Sequence, residues 1–304
     1  MPWLLDKEST PRQKSLLFRN KLKEGKLLQF VGCFSPYIAQ MAEKIGFDGV
    51  YISGAGIAND LGLPDISLTT LSEVTQRGRA ISRCSSLPNL IDIDTGFGAT
   101  MNVARTILEM EEAELSGCHI EDQVQPKRCG HLDNKSLISK EEMLQKITAA
   151  VKARRDSNFI LCARTDAIGV EGLDKAIERA QAYVDAGADM IFPEAVKDPK
   201  DFEKFRKAVK VPLLANMTEF GKSELLDTKE LESLGYNMVI YPMTMFRIAM
   251  GAVENALKDI KEKGHQKDLL PSMQTRSKLY EYLEYEDYNE LDKNIFNFNL
   301  SKNQ

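Results

Sequence analysis

Two short stretches concentrate the side chains that can do chemistry. In Asp92-Ile93-Asp94 two acids flank an isoleucine. Side chains two apart in a strand share a face, so both carboxylates are expected to aim at one point. Hard oxygen ligands with no Cys/His set beside them suit Mg2+, or Mn2+, and not zinc. Glu121 and Asp122 end a neighbouring apolar run. They add carboxylate enough, with Glu121 acting through a water, for a magnesium that keeps part of its hydration and leaves room for a substrate's oxygens.

The second stretch is Lys127-Arg128-Cys129-Gly130-His131. Cationic neighbours stabilise a thiolate or poise a thiol as an acid at neutral pH, so Lys127 and His131 join Cys129 as candidate catalytic residues. The surrounding segment, Gln125 to Lys135, is too long and too charged for a minimal turn between strand and helix. It is expected to be a mobile loop over the site, with Gly130 supplying the freedom to close. The other histidines, His119 and His265, stand in no Ser-His-Asp order, which argues against a hydrolase triad. Gly96-Phe97-Gly98 lacks the third glycine and the acidic partner of a dinucleotide fingerprint, and is read as backbone passing close to the metal site.

The elements that must position these groups follow from periodicity. Short apolar runs alternate with amphipathic segments from residue 27 onward, as in parallel βα units. Strands are expected at Leu27 to Phe34, Gly49 to Gly54, Leu90 to Asp94, Gly117 to Asp122, Phe159 to Asp166, Asp189 to Ala195, Pro212 to Glu219 and Met238 to Thr244. Eight strands close a TIM-type (β/α)8 barrel, whose active sites lie at the C-terminal strand ends. Polar residues gather at those ends: Ser53, Asp92 and Asp94, Glu121 and Asp122, Arg164 and Asp166, Glu194, and Asn216 with Thr218. Ser139-Lys140-Glu141-Glu142 reads as a capping box, Asp198-Pro199 as a cap before an N1 proline, and Gly187, Gly235 and Gly264 as helix stops.

Composition permits this and excludes other classes. The 304 residues are 43% hydrophobic and 28% charged, with a formal net charge of -5. That balance argues against nucleic acid or an anionic membrane as partner. No apolar stretch is long enough to span a bilayer, and Met1 to Asn20 lacks a signal-peptide core, so a cytoplasmic protein is expected. The cysteines Cys33, Cys84, Cys118, Cys129 and Cys162 are odd in number and none forms Cys-x-x-Cys, which predicts free thiols. No Pro/Gly-rich linker divides the chain. We therefore read residues 1–304 as one barrel domain with 265–304 as a helical extension, its tyrosine-rich Tyr280 to Asn289 packing on a neighbouring subunit or back on its own barrel.

The motifs Asp92-Ile93-Asp94-Thr95-Gly96-Phe97-Gly98, His119-Ile120-Glu121-Asp122-Gln123 and Lys127-Arg128-Cys129-Gly130-His131 resemble the isocitrate lyase/phosphoenolpyruvate mutase superfamily, the last being specific to its lyase branch. Ala163-Arg164-Thr165-Asp166-Ala167, Phe192-Pro193-Glu194-Ala195, Asn216-Met217-Thr218-Glu219-Phe220 and Met273-Gln274-Thr275-Arg276 extend the likeness over nearly the whole chain. Phe192 stands where isocitrate lyases carry Trp. Ala55, in Ser53-Gly54-Ala55-Gly56, replaces a glycine common in relatives, and its methyl is expected to reshape the carboxylate pocket slightly.

The resemblance implies a reverse aldol-type cleavage of 2-methylisocitrate to pyruvate and succinate, the carbon-carbon step of propionate breakdown by the methylcitrate cycle. It implies a homotetramer with the C-terminal helices exchanged between subunits. By it Asp92 and Asp94 hold Mg2+, and Cys129 protonates the nascent succinate. Tyr51 is the candidate base. Arg164, Asn216, Thr218, Arg247 and Arg276, with Glu194, Met217 and the backbone of Ser53, Gly54, Ala55, Cys129 and Gly130, form the expected tricarboxylate site. Isocitrate lyase activity, a dual-specificity lyase and a catalytically lapsed binding protein are the alternatives.

Overall fold

The structure is a computed structural model that describes residues 10–131 and 134–296. These form two compact units, which divide after Arg247.

The first unit begins with helix α1 (Pro11–Lys23), then alternates strands and helices: β1 (Leu28–Gly32), α2 (Pro36–Ile45), β2 (Gly49–Ile52), α3 (Gly54–Asp60), α4 (Leu71–Ser82), β3 (Asn89–Asp92), α5 (Thr100–Glu112), β4 (Gly117–Glu121), α6 (Lys140–Ala153), β5 (Ile160–Thr165), α7 (Leu173–Asp185), β6 (Met190–Pro193), α8 (Pro199–Ala208), β7 (Leu214–Asn216), α9 (Thr228–Ser233) and β8 (Met238–Tyr241). All eight expected strands are present, each shorter than its apolar run. They pair in parallel in the order β6-β5-β4-β3-β2-β1-β8-β7. A parallel bridge between Ile191 and Leu213 joins the two ends, so the sheet is a nearly closed barrel.

Two-residue alternation divides the core. Phe30, Tyr51, Leu90, Ile160, Cys162, Met190, Phe192, Leu214, Met238 and Ile240 fill the barrel interior above Phe18 of α1. Their neighbours Val31, Val50, Ile52, Ile91, Cys118, Ile120, Leu161, Ala163, Ile191, Ala215 and Val239 pack outward on the helices. The same phase turns Asp92, His119, Glu121, Arg164 and Asn216 inward, and these residues make the upper layer polar.

Local signals explain the helix ends. Asp198 caps α8 through Lys200 N and Asp201 N ahead of Pro199. Gly187, Gly235 and Gly264 follow α7, α9 and the long helix α10 (Thr244–Lys263) with φ of 105°, 79° and 70°. The Ser139 cap is only half a capping box: its hydroxyl accepts from Glu142 N, but Glu142 does not reach back.

Beyond Arg247, α10 continues and is followed by α11 (Arg276–Tyr282) and α12 (Tyr285–Phe296), the helices expected from the tyrosine-rich stretch. No residue of α10 is buried. Among the described residues no helix is long and apolar enough to cross a membrane.

Candidate active site

The C-terminal strand ends of the barrel surround a cavity of about 310 Å3. Its floor is acidic. Strand β3 stops at Asp92, and Asp94 lies beyond it in a turn with φ 47°, followed by Gly96, Phe97 and Gly98, also at positive φ. Alternation therefore places Asp92 but not Asp94; the turn places Asp94. The main chain pins that turn: Asp94 N donates to Asp92 Oδ1 at 2.9 Å, and Glu121 N to the Asp94 carbonyl at 3.0 Å. Both carboxylates close on Gly54, where a Cβ would stand 2.9 Å from Asp92 Oδ2 and 3.4 Å from Asp94 Oδ1. Only glycine lets them converge there without displacement.

Burial is the largest influence on both acids, and their surroundings split them. For Asp94 it prevails over Lys127, raising the carboxyl to about 6. For Asp92, His119, Lys127 and Arg164 outweigh burial and lower it. Lys127 Nζ lies 3.1 Å from Asp94 Oδ1 and also pairs with Asp65. Burial disfavours this ammonium, but Asp94, Glu121, Asp65 and Asp92 outweigh it and hold its pKa well above the ordinary lysine value.

Asp122 leaves the expected metal group, and Glu121 keeps the inward phase of Asp92. Glu121 is fully buried, 3.2 Å from Arg164 Nη1, and burial pushes its carboxyl far upward. Asp122 faces the helix layer, accepting from Thr165 Oγ1 at 2.8 Å, Tyr183 Oη at 2.7 Å and Asp166 N at 2.9 Å. Among the described residues no group of three or more His, Cys, Asp or Glu is arranged to hold a metal. A divalent ion nevertheless fits Asp92 and Asp94. Among the described residues Asp94 Oδ1 is buried and meets no donor besides the Lys127 ammonium, and two convergent carboxylates suit a hard cation that takes its other oxygens from water and ligand.

Arg164 is gripped on three sides. Its Nε and Nη2 donate to Asp166 at 2.9 and 3.1 Å, Nη1 faces Glu121, Nη2 stands 3.2 Å from Glu194 Oε2, and the guanidinium rests 5.2 Å from the Phe192 ring centroid. Glu194, expected to bind substrate, lines the cavity and also organises the donors. His131 Nε2 lies 2.9 Å away and Asn216 Nδ2 3.3 Å away. Burial opposes its charge, but Arg164 and His131 overcome this and keep the carboxyl well below its usual range. Lys222 N donates to His131 Nδ1 at 2.9 Å, which assigns the ring proton to Nε2, facing Glu194.

Tyr51, the candidate base, is buried, with Oη 2.7 Å from His119 Nε2 and the two rings stacked 11° from parallel. Burial, reinforced by Asp92, raises the phenol far above its ordinary value, so a free tyrosinate is disfavoured. Burial lowers His119 to about 4 despite Asp92, leaving a neutral imidazole beside the phenol. Sequence reasoning passed over His119 as a strand histidine; its inward phase on β4, opposite Tyr51, was the available signal.

Cys129 is the exposed thiol, whereas Cys33, Cys84, Cys118 and Cys162 are buried. The protein packed around its sulfur raises the pKa, only partly offset by a hydrogen bond from His131 N. The raised pKa disfavours the thiolate and favours the thiol. The Lys127 ammonium is committed to Asp65 and Asp94. Gly130 packs where a Cβ would fall 2.3 Å from Glu194 Cγ and 2.5 Å from Arg164 Nη2, so the loop rests directly on the site. Leu132 and Asp133 of the Gln125 to Lys135 loop lie outside the described residues.

Tyr51, Ser53, Ala55, Asp92, Lys127, Cys129, Gly130, His131, Arg164, Glu194, Asn216, Thr218 and Arg247 all line the cavity. Gly54 and Asp94 lie behind it as described. Met217 is turned into the core, its N bonded to the Ile240 carbonyl. Arg247 is tied to Glu219 Oε2 at 2.8 Å. Arg276 opens α11 in the second unit. Asn59 of α3 and Asp65 of the α3–α4 connection also line the cavity and were missed, because attention to strand ends bypassed both.

An eight-stranded parallel barrel with two convergent carboxylates and a thiol at one cavity defines a class that can be compared with known proteins. Residues 18–261 match the phosphoenolpyruvate phosphomutase family, and the chain belongs to that family. The chain is similar to a protein named probable 2-methylisocitrate lyase 2 of Corynebacterium glutamicum, 55% identical over 298 residues that cover 98% of this chain and 97% of the relative. It is 47% identical to the 2-methylisocitrate lyase of Aeropyrum pernix, over 92% of this chain and 90% of that one. Among solved structures, oxaloacetate acetylhydrolase in complex with 3,3-difluorooxalacetate superposes with a TM-score of 0.88 at 31% identity, covering 94% of this chain and 98% of the other. Phosphonopyruvate hydrolase complexed with oxalate and Mg2+ gives 0.84 at 30%, covering 92% and 98%.

Proposed function

We propose that this chain is a Mg2+-dependent carbon-carbon lyase that cleaves 2-methylisocitrate to pyruvate and succinate, the step expected in propionate breakdown by the methylcitrate cycle. The observation that carries the reading is a protonated thiol, Cys129, lining the same cavity as Asp92, Arg164 and the Tyr51–His119 pair. Likeness to 2-methylisocitrate lyases over almost the full chain supports the substrate.

Asp92 and Asp94 would hold Mg2+, or Mn2+ in its place, which would supply electrostatic stabilisation to the oxygen that becomes the pyruvate carbonyl. Lys127 balances the negative floor from the side of Asp65. Tyr51 takes the substrate hydroxyl proton as its own passes to His119 Nε2, which avoids an unsupported tyrosinate. The carbon-carbon bond then breaks, its electron pair leaving on the succinate fragment as an aci-carboxylate. Cys129 Sγ–H protonates that carbon, and the thiol is held in its acid form for this purpose by the protein around it. Arg164, Asn216, Thr218 and Arg247 supply donors for the substrate carboxylates, Arg164 and Asn216 being aimed by Glu194. Phe192 borders the space for the substrate methyl.

The same reading includes the single-domain organisation with 265–304 as an extension, a cytoplasmic location, and a homotetramer in which the C-terminal helices are exchanged and Arg276 completes a site. The exposed Ile248, Val253, Leu257 and Ile260 of α10 support burial against another copy. Steady-state assays with 2-methylisocitrate and with isocitrate, each with and without EDTA, test the proposal. Metal-dependent cleavage with the higher kcat/KM for 2-methylisocitrate is expected; a preference for isocitrate overturns the substrate assignment.

A further inference from the structure

Cys129 hangs between two peptide groups that are each clamped by a side chain outside its own motif. On one side Gln123, buried just after β4, grips Arg128 in both directions: Oε1 accepts from Arg128 N at 2.9 Å and Nε2 donates to the Arg128 carbonyl at 2.8 Å. On the other side Lys135 Nζ donates to the Gly130 carbonyl and, at 3.0 Å, to Asp166 Oδ1. A short antiparallel ribbon brings the clamps together, with Gln123 bridged to Leu137 and Val124 N donating to the Ser136 carbonyl at 2.8 Å.

The two clamps differ in what stands behind them. Gln123 is tied only to the loop, whereas Asp166 Oδ1 is shared between Lys135 and Arg164 Nη2. A buried ammonium costs several kcal/mol of lost hydration unless it is paired. Lys135 is buried, and its pairing is one carbonyl of the thiol loop and one carboxylate of the arginine cradle. Neither acceptor explains a lysine there alone; together they make it a side-chain link between loop and cradle.

We propose that Lys135 is a positioning residue that couples the Cys129 loop to Arg164 through Asp166, so that the hold on the thiol depends on what Arg164 binds. When a carboxylate ligand draws on the guanidinium, Asp166 shares less of its charge with Arg164 and more with Lys135. The Gly130 peptide is then drawn down and the thiol is fixed over the cavity. The effect on turnover rests on the reading of Cys129 as proton donor; the effect on the loop does not.

The test measures the rate of Cys129 modification by iodoacetamide in the Mg2+-loaded enzyme, with and without succinate, alongside kcat and KM. Losing one latch worth about 1.4 kcal/mol corresponds to about a tenfold change. Lys135→Met is therefore expected to raise modification about tenfold and to lose the protection that succinate gives the native thiol. Its kcat should fall by a similar factor while KM stays within about threefold, and Lys135→Arg should restore most of both. Gln123→Leu, which frees the other clamp, should also raise modification yet keep succinate protection. Native modification rates and native protection in Lys135→Met overturn the proposal, as does loss of succinate protection in Gln123→Leu. If Lys135→Met does not fold, Lys135→Arg and Gln123→Leu still decide, since a short-fall in protection is expected for neither. A native enzyme that fails to turn over 2-methylisocitrate sinks the lyase reading, while the modification arms still judge the latch.

Discussion

The acidic turn from Asp92 to Gly98 and the thiol loop from Lys127 to His131 face each other across one cavity, yet they are held by different means. Asp94, Gly96, Phe97 and Gly98 sit at positive φ, and main-chain bonds join the turn to Ile93 and Glu121. The thiol loop is held by side chains: Ser67 Oγ accepts from Lys127 N at 3.1 Å, Gln123 clamps Arg128, Lys135 reaches Gly130, and His131 meets Lys222 N and Glu194. A floor built from backbone keeps its geometry whether or not a ligand is present. A lid built from side-chain latches can be released one contact at a time, which suits a group that must admit substrate and then deliver a proton.

The largest expected effect comes from destroying the floor. Asp94→Ala should lower kcat by at least about a thousandfold and abolish saturable Mn2+ binding followed by paramagnetic relaxation. Retained binding would show that the metal sits elsewhere. Next, Cys129→Ser should cost about a hundred- to ten-thousandfold in kcat, the range for a lost general acid, with Mn2+ affinity unchanged. Equal losses of metal affinity in both variants would break the distinction between floor and lid.

Gly54→Ala tests the floor by crowding. A Cβ 2.9 Å from Asp92 Oδ2 must push the carboxylates apart, and Mn2+ affinity should fall about tenfold while Cys129 reactivity stays native. The lid has its own pH signature. Because the Cys129 thiol is raised above the ordinary cysteine range, its thiolate fraction should keep growing through pH 9, where an ordinary cysteine levels off. A plateau in the iodoacetamide rate at or below pH 8 would contradict the raised thiol. The smallest effect expected is for Thr106→Val, which removes the hydroxyl donated to the Gly96 carbonyl at 3.2 Å. It should cost about 1 kcal/mol of stability, read as Cm in urea, with little change in kcat.

How much of this was legible in advance depended on whether position along the chain determines direction in space. The eight strands were, because apolar runs and helix caps are local signals, and so were Asp92, Arg164 and Asn216, whose inward phase follows from alternation. Asp94 was expected at the same point as Asp92, but a left-handed turn and not the strand aims it. Of the two acids at the end of β4, Asp122 was misplaced because adjacent residues on a strand face opposite layers: it meets Tyr183 and Thr165, whereas Glu121 faces inward beside Arg164. Asp65, Gln123 and Lys135 gave no local sign of their part in the site, as each acts on a residue it meets only after folding.

The amino-acid sequence by itself determined the barrel, the acids at its mouth and the presence of a thiol-bearing loop, because periodicity and residue type act over a few positions. Only the tertiary structure decided the protonation of that thiol, the pairing of Tyr51 with His119, the use of Glu194 as an organiser of donors and the latch through Lys135. Each of these depends on burial and on charges from elements distant in sequence, and electrostatic energies are set by separation in space and by the water excluded between groups.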